Sequence, residues 1–202
     1  MKILALGDLH NDYRLVKKLA ELAKKEKIDL IILTGDLTNA DDPIDNLLKP
    51  FSDAGLKILL IPGNHETNAT ANFLAEAYEN TFNIHGTHHI HKNLGFFGMG
   101  GADIPVNQVS EKELERNLKK AHEELLKKGG FDKKILVTHW HPAGTKSEFS
   151  GFSGSKSIRK AIENFKPHLA IFSHIHEAAG MEEKIGDSRV MNVSRKGFII
   201  DI

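Results

Sequence analysis

Short apolar runs alternate with amphipathic segments along the first part of this chain, and that alternation limits the folds open to it. The runs KILALG, DLIILTG and LKILLIPG are typical of buried strands. Between them, DYRLVKKLAELAKKEK places Leu15, Leu19 and Leu22 on one helical face, DPIDNLLKPF predicts a helix that starts at Pro43 after Asp41–Asp42, and NATANFLAEAYEN predicts a third helix. Strands that alternate with helices form βαβ units, so we expect a parallel sheet flanked by helices.

The second part of the chain continues this pattern after a segment of different composition. Residues 82–101 look like short strands joined by glycine and asparagine turns. The segment SEKELERNLKKAHEELLKK returns to helix, with Ser110 and Glu113 in capping-box spacing and Gly129–Gly130 as a stop. KILVTH, LAIFSH, RVMNVS and GFIIDI predict further strands, and SKSIRKAIENFK predicts a helix that ends before Pro167.

Length and composition exclude several classes of protein. The 202 residues suit one well-buried core, and no linker or repeat interrupts them, so residues 1–202 are predicted to form a single domain. Lys+Arg and Asp+Glu are equal at 27 each, which gives no field to attract nucleic acid or an anionic membrane. The absence of cysteine excludes disulfides and thiolate ligands. No signal peptide and no run of ~18 apolar residues is present, which favours the cytoplasm.

Side chains able to bind metal or transfer protons follow five of the predicted strands. The loops that leave the carboxyl ends of parallel strands form the ligand crevice of an open α/β sheet, so these side chains should meet there. Gly7, Gly35 and Gly63 let the backbone turn sharply at three of these ends. The candidates are Asp8 and His10 in GDLH, Asp36 in GDLT, Asn64 and His65 in GNHE, His139 in THWHP, and His174 and His176 in SHIH.

The types of these side chains restrict the metal chemistry. Carboxylate, amide and imidazole ligands suit Mn, Fe, Zn, Ni or Co and are not those of a thiolate site. There are too many of them for one tetrahedral ion that must keep a position open. They suit two ions about 3.5–4 Å apart with a bridging carboxylate, an arrangement that recurs in enzymes that cleave phosphate esters.

The five blocks GDLH, GDLT, GNHE, THWHP and SHIHEAAG, in this order, resemble the signature blocks of the calcineurin-like metallophosphoesterase superfamily. The stretch GSKSIRKAIENFKPHLAIFSHIHEAAG is similar to small single-domain archaeal and bacterial members. The resemblance implies an α/β fold, a four-layer αββα sandwich with two facing mixed β-sheets. HHIHKN, LGFFGMGG and GFIIDI would then supply the second sheet.

The resemblance also implies roles for the matching positions and a dinuclear centre. One metal would be held by Asp8, His10 and His176 and the second by Asn64, His139 and His174, with Asp36 bridging the two. His65 matches the family histidine that binds no metal, contacts the phosphate and protonates the leaving group. The implied cofactors are two divalent ions among Mn, Fe, Ni and Zn, with Mn favoured.

The implied function is hydrolysis of a small-molecule or nucleotide phosphate ester, preferably a diester, by a hydroxide that bridges the two ions. A non-catalytic metal-binding interaction module of the same fold is one alternative, but the presence of His65 and of all seven ligands argues against it. A nuclease is the other, and the balanced charge argues against nucleic acid. The expected partner is a small phosphate ester, and no association with a membrane is expected. A homodimer is favoured only if residues 96–99 are exposed.

Two positions depart from the family pattern. Ser173 stands where a glycine usually precedes the first histidine of the G-H-x-H block, where it would crowd the turn or add a hydroxyl near the second metal. NVSR replaces the usual Asn-Pro-Gly-Ser near the C-terminus, and this change concerns local turn geometry.

Several interpretations stay open at this level. The aspartates could cap helices and the histidines could be buried in the core. His141 could support the site or lie on a solvated loop, and Glu66 could orient a ligand histidine or face solvent. For HHIH at 88–91 a solvated strand is favoured over metal chelation. For SGFSGSKS at 150–157, which lacks P-loop spacing, a helix N-cap at 153–155 is favoured over an anion site.

Overall fold

The computed structural model describes residues 1–40 and 44–202, which form two β-sheets and five α-helices. The strands are β1 (Lys2–Leu6), β2 (Leu30–Leu33), β3 (Lys57–Leu60), β4 (Thr81–Asn83), β5 (Thr87–His91), β6 (Leu94–Met99), β7 (Lys133–Thr138), β8 (Leu169–Phe172), β9 (Glu182–Ile185), β10 (Ser188–Asn192) and β11 (Phe198–Asp201). The helices are α1 (Tyr13–Lys25), α2 (Lys49–Ser52), α3 (Asn68–Ala77), α4 (Glu111–Lys128) and α5 (Lys156–Phe165). No helix among these residues is long and apolar enough to cross a membrane.

Both sheets are mixed. The first has the order β11-β1-β2-β3-β4, in which β1 to β4 are parallel and β11 runs antiparallel to β1. The second has the order β5-β6-β7-β8-β10-β9, in which β6, β7, β8 and β10 are parallel and the two edge strands are antiparallel. The carboxyl ends of the parallel strands are where the predicted ligand blocks begin.

The period of two along each strand separates three layers of core. In β2, Leu30 and Ile32 pack between the sheets, whereas Ile31 and Leu33 pack under the helices α1 to α3. A third apolar cluster lies between the second sheet and the helices α4 and α5. Helix, sheet, sheet and helix therefore follow one another, which confirms the predicted four-layer sandwich.

The predicted helices are present, with changes at their ends. In α4, Ser110 Oγ accepts a hydrogen bond from the Glu113 backbone N–H at 3.2 Å, and Gly129 caps the C-terminus, both as predicted. In α1, Leu19 is buried. The predicted helix start at Pro43, after Asp41–Asp42, lies outside the described residues, and the described helix of this segment begins at Lys49.

The prediction that GFIIDI belongs to the second sheet is wrong. This segment forms β11, which pairs with β1 at the edge of the first sheet, with Ile200 opposite Ile3. The N-terminal amine also donates to the Ile202 carbonyl at 2.7 Å. The alternation of apolar residues in this segment suits the core face of either sheet. Which sheet the strand joins therefore depends on the path of the chain that leads to it. HHIH and LGFFGM do belong to the second sheet, as predicted, with HHIH as its edge strand.

Two further features of the second sheet differ from the expectations. The strand β9 was not predicted, because Glu182–Ile185 is mostly polar; charged side chains of this kind protect an edge strand from unwanted pairing. Phe96, Phe97 and Met99 are completely buried, so they provide no apolar surface for a homodimer.

His122 on α4 is a buried histidine that should make stability depend on pH. Its ring stacks on Phe165 with centroids 4.3 Å apart, and its Nε2 accepts from Lys134 Nζ at 3.2 Å. Burial, and then the Lys134 ammonium, lower its pKa to about 4. The unfolded chain therefore binds a proton below pH 6.5 that the folded chain rejects, so this contribution to stability is present above the unfolded pKa and is lost as the pH falls toward 4.

We expect His122→Gln, which keeps an acceptor for Lys134, to weaken this pH dependence. Between pH 7 and pH 5 the wild-type free energy of unfolding should fall by about 1–2 kcal/mol more than that of the variant. Urea unfolding of both metal-free proteins at the two pH values measures the difference. An equal fall in both proteins would show that His122 does not titrate in this way.

Candidate metal centre

The structure brings all eight candidate side chains together at the carboxyl ends of parallel strands from both sheets. The loops after β1, β2 and β3 carry Asp8 and His10, Asp36, and Asn64 and His65, and the loops after β7 and β8 carry His139, His174 and His176. Three groups among them have ligand atoms within 4.8 Å of one another: Asp8, His10 and His176; His10, Asp36 and His65; and Asp36, His139 and His174.

Four of these residues have a backbone conformation that side chains usually avoid. Asp8, His10, Asp36 and His174 have φ values of 56°, 44°, 51° and 74°. Such conformations cost about 1–3 kcal/mol each and persist where the surrounding structure enforces them, most often at functional sites. The fold therefore gives up stability to aim these side chains into one cleft.

Asp36 lies at the centre of the cluster. Its Oδ1 accepts a hydrogen bond from the His65 backbone N–H at 2.9 Å, which fixes the carboxylate. Its Oδ2 lies 3.4 Å from His139 Nε2, 3.8 Å from His10 Nε2 and 3.9 Å from His65 Nε2. One oxygen thus faces imidazoles from both predicted ligand sets, as a bridging carboxylate must.

The first ligand set has an unpaired carboxylate oxygen. Asp8 is completely buried, and its Oδ1 accepts from the His174 backbone N–H at 3.3 Å, but its Oδ2 has no hydrogen-bond partner among the described residues. This Oδ2 lies 3.8 Å from His176 Nε2, which in turn is 3.3 Å from His10 Nε2. An unpaired buried polar atom costs about 1–3 kcal/mol, and a cation among these three side chains would remove that cost.

The second set is equally close-packed. His139 is fully buried and its Nδ1–H donates to the Thr34 carbonyl at 2.8 Å, which leaves Nε2 facing the cleft. This Nε2 lies 3.0 Å from Asn64 Oδ1 and 3.3 Å from His174 Nδ1. Polar atoms of three side chains therefore converge on one point.

The Asp36 carboxylate at the centre of the cluster stabilises positive charge on His139. Burial lowers the pKa of His139, but the Asp36 carboxylate outweighs it and raises the pKa to about 9. Burial likewise raises the pKa of Asp36, but His139 more than compensates and holds it well below its usual range. Burial, and then His139, lower the pKa of His174 to about 3. Donor chemistry and electrostatics both fit divalent cations.

Two supporting residues, Asn39 and Ser173, act through hydrogen bonds that the sequence did not reveal. His10 Nδ1–H donates to Asn39 Oδ1 at 2.9 Å, which directs His10 Nε2 into the cleft. Ser173 Oγ donates to the Thr34 carbonyl at 3.0 Å and lies 3.1 Å from His139 Nδ1, the ring nitrogen opposite the one that faces the cleft. Room for this hydroxyl exists because Gly7 lies opposite, where a Cβ would be 2.5 Å from it.

Glu66 does not face solvent, and it contacts the backbone rather than a ligand histidine. It is completely buried, and it accepts hydrogen bonds from the N–H groups of Gly63, Leu37 and Thr38 at 2.6, 2.9 and 3.1 Å. Burial, and then the Asp36 charge, raise its pKa to about 7. Glu66 thus joins the loop that carries Asp36 to the loop that carries Asn64.

The NVSR segment forms hydrogen bonds to the backbone of two loops of the candidate site. The Ile175 carbonyl, between the two histidines of SHIH, accepts from Asn192 Nδ2 at 3.1 Å and from Ser194 Oγ at 3.3 Å. Arg195 Nη1 donates to the Asp8 carbonyl at 3.2 Å. The departure from the family pattern therefore affects the backbone of two ligand loops, more than the local turn that the sequence suggested.

The other histidine and glycine motifs lie apart from the ligands or support them. His141 is buried, its Nε2–H donates to the Phe152 carbonyl at 3.3 Å and its ring stacks on His174, so it is not a solvated loop residue. His89 of HHIH packs on Phe82. At the start of α5, Ser155 is the N-cap and the Glu111 carboxylate accepts from Ser155 Oγ and from two backbone N–H groups, so that end holds an internal anion.

Comparison with known proteins agrees with the fold. The model of the calcineurin-like phosphoesterase family matches residues 1–178. The protein TT1561 of Thermus thermophilus superposes with a TM-score of 0.75 at 22% identity, over 94% of this chain and 87% of that one. A dimetal phosphatase from Danio rerio superposes with a TM-score of 0.61 at 9% identity, over 95% and 86%.

A novel archaeal phosphodiesterase superposes with a TM-score of 0.54 at 17% identity, over 95% of this chain and 82% of that one. In sequence, 69 residues are 33% identical to the DNA double-strand break repair protein Mre11 of Saccharolobus solfataricus. That match spans 31% of this chain and only 18% of Mre11. The structural similarities, at these low identities, describe the fold alone.

Proposed function

The chain belongs to the calcineurin-like phosphoesterase family and is accordingly a metal-dependent phosphoesterase; from this premise we propose that it is a dinuclear phosphodiesterase acting on a small-molecule or nucleotide ester. The observation that carries the proposal is Asp36 Oδ2, which faces His10 of one ligand set and His139 of the other. A carboxylate shared in this way suits two ions better than one.

The ligand sets divide as the family pattern suggests. We propose that Asp8, His10 and His176 hold one divalent ion, that Asn64, His139 and His174 hold the other, and that Asp36 bridges them. When bound, such ions supply a water of lowered pKa as nucleophile and neutralise charge on the phosphoryl oxygens. The buried hydrogen bond of His139 to Thr34 and the exposed one of His10 to Asn39 keep the proposed ligand nitrogens oriented before substrate arrives.

His65 is suited to protonate the leaving group. Its side chain is 43% exposed in the cleft, and its backbone N–H is held by Asp36 Oδ1. The ring meets His10 edge to face with centroids 4.8 Å apart, next to the ligand cluster. A histidine in this position can deliver a proton to a departing alkoxide oxygen as the P–O bond breaks.

The charge of the cleft favours a diester over a monoester. The described residues that line it include neither lysine nor arginine, and Glu177 lies at its rim. A diester carries one negative charge and a monoester up to two, so for a monoester the bound ions would have to balance the second charge near Glu177 without help from a cationic side chain. We infer that a diester suits this cleft better than a monoester.

Activity should depend wholly on divalent metal. We expect metal-stripped protein to hydrolyse neither bis-p-nitrophenyl phosphate nor p-nitrophenyl phosphate, and re-addition of Mn, Ni, Zn or Mg to restore diester hydrolysis, most strongly with Mn. Release of p-nitrophenolate measures both substrates. Normal uptake of two ions without hydrolysis of either ester would overturn the proposal and favour a binding module.

A nuclease is a second candidate, because the matched relative Mre11 is a DNA repair protein. The equal numbers of basic and acidic residues provide no surface field for a polyanion. Cleavage of single- or double-stranded DNA under the same conditions, at rates above those for the small diester, would favour this candidate.

A further inference from the structure

Two exposed apolar side chains share the cleft with the candidate metal centre. Phe152 is 63% exposed and Ile104 is 41% exposed, and both line the cleft of about 400 Å³ that also contains His65 and His176. Ile104 comes from the loop after β6, and Phe152 from the loop before α5. Two unrelated segments therefore direct apolar surface toward the same site.

The backbone around Phe152 is fixed even though its ring is exposed. The Phe152 carbonyl accepts from His141 Nε2 at 3.3 Å, and the next carbonyl, that of Ser153, accepts from the Trp140 indole N–H at 3.0 Å. Gly154 N–H donates to Glu148 Oε1 at 2.9 Å. Trp140 and His141 belong to the same loop as the ligand His139, so this loop sets the position of Phe152 relative to the metal centre.

We propose that Phe152 and Ile104 form an apolar subsite for a planar aromatic group on one ester arm of the substrate. This subsite rests on the phosphodiesterase function proposed above. A phenylalanine ring offers a face on which another ring can stack, and the branched side chain of Ile104 adds apolar contact. A cleft of about 400 Å³ lies in the range of small-molecule sites.

The charges around the subsite support a neutral aromatic arm. Glu177 also lines the cleft, and the described lining offers no lysine or arginine for a further phosphate. A substrate arm that ended in a second phosphate would lack a cationic partner there. An uncharged ring needs no such partner, because leaving water for an apolar surface is itself favourable. The subsite thus distinguishes aryl or nucleoside esters from polyphosphates.

A pair of diesters with the same leaving group isolates the subsite. Phenyl p-nitrophenyl phosphate and methyl p-nitrophenyl phosphate have the same charge and both release p-nitrophenolate, so they differ only in the arm that remains. We expect the Mn-loaded wild-type protein to prefer the phenyl ester by about tenfold in kcat/KM, the scale of one apolar contact. In Phe152→Ala this preference should fall to about twofold or less, with an intermediate value in Phe152→Leu, which keeps apolar surface but not a ring face.

Phe149→Ala is the matched control. Phe149 is 60% exposed on the same segment but does not line the cleft, so the preference for the phenyl ester should persist. An equal kcat/KM for the two esters in the wild-type protein, or an unchanged ratio in Phe152→Ala, would overturn the subsite while leaving the phosphodiesterase function intact.

A binding measurement separates failure of the subsite from failure of the function. Calorimetric titration of the Mn-loaded protein with diphenyl phosphate and with dimethyl phosphate needs no turnover. Tighter binding of the diphenyl ester by about tenfold, lost in Phe152→Ala, supports the subsite even if neither p-nitrophenyl ester is cleaved. Equal affinities would overturn it whatever the outcome for hydrolysis.

Discussion

Replacing Asp36 with asparagine should lower kcat/KM for bis-p-nitrophenyl phosphate by about 10³-fold or more, because loss of a single preorganised electrostatic group already costs about 10²–10³-fold. Loss of the Asp36 charge should lower kcat/KM by at least as much, since Asp36 Oδ2 faces His10 and His139 together. Asparagine keeps the shape and the acceptor for the His65 backbone N–H but removes the charge that both ions would share. Initial rates over a range of Mn concentrations measure the effect.

Metal content distinguishes this role from a structural one. Mass spectrometry of the Asp36→Asn protein should find fewer bound ions than in the wild-type protein, while circular dichroism shows the same fold. Asp187→Asn, an exposed carboxylate on the turn between β9 and β10, is the control and should change neither metal content nor rate. Two bound ions and a rate within about threefold of wild type would contradict the bridging role.

His65→Gln should impair the enzyme most with poor leaving groups. A general acid contributes about 10²–10⁴-fold when the departing oxygen is an alkoxide. A p-nitrophenolate leaves without a proton, so we expect a loss of less than about tenfold for bis-p-nitrophenyl phosphate. The measurement is log kcat against the pKa of the leaving group for a series of aryl and alkyl diesters, and its slope should become steeper in the variant.

The steeper slope is the decisive observation, because a general loss of structure would lower all rates alike. His168→Gln provides a control, since His168 is an exposed histidine outside the cleft. Parallel lines for wild type and His65→Gln would contradict proton donation and leave His65 as a contact to the phosphate.

The convergence of the candidate ligands could be predicted from the sequence because two independent restrictions coincide there. A metal site accepts few side-chain types, and the carboxyl end of a parallel strand is a definite place, so GDLH, GNHE and SHIH are recognisable in one dimension. Asn39, Ser173 and Arg195 were not recognised as supports. Each acts on a neighbour that only the fold brings near, and their residue types are common in any loop.

The pairing of strands shows the same limit. The alternation in GFIIDI predicts a strand with one buried face, and β11 is such a strand. The alternation does not indicate which sheet the strand joins, because the inner faces of both sheets bury aliphatic side chains in the same core between them. Similarly, Glu182–Ile185 is a strand because it pairs with β10, while its own residues indicate no strand.

The division of the ligands between the two sheets has a mechanical consequence. Asp8, His10, Asp36 and Asn64 belong to the first sheet and His139, His174 and His176 to the second, so bound ions would cross-link one half of the sandwich to the other. Each proposed ligand set would draw on both sheets, so its geometry depends on the thickness of the apolar core between the sheets, which includes Ile32 and Val137. Small changes of side-chain volume deep in that core would therefore shift one part of each set relative to the other without touching any of the candidate ligands.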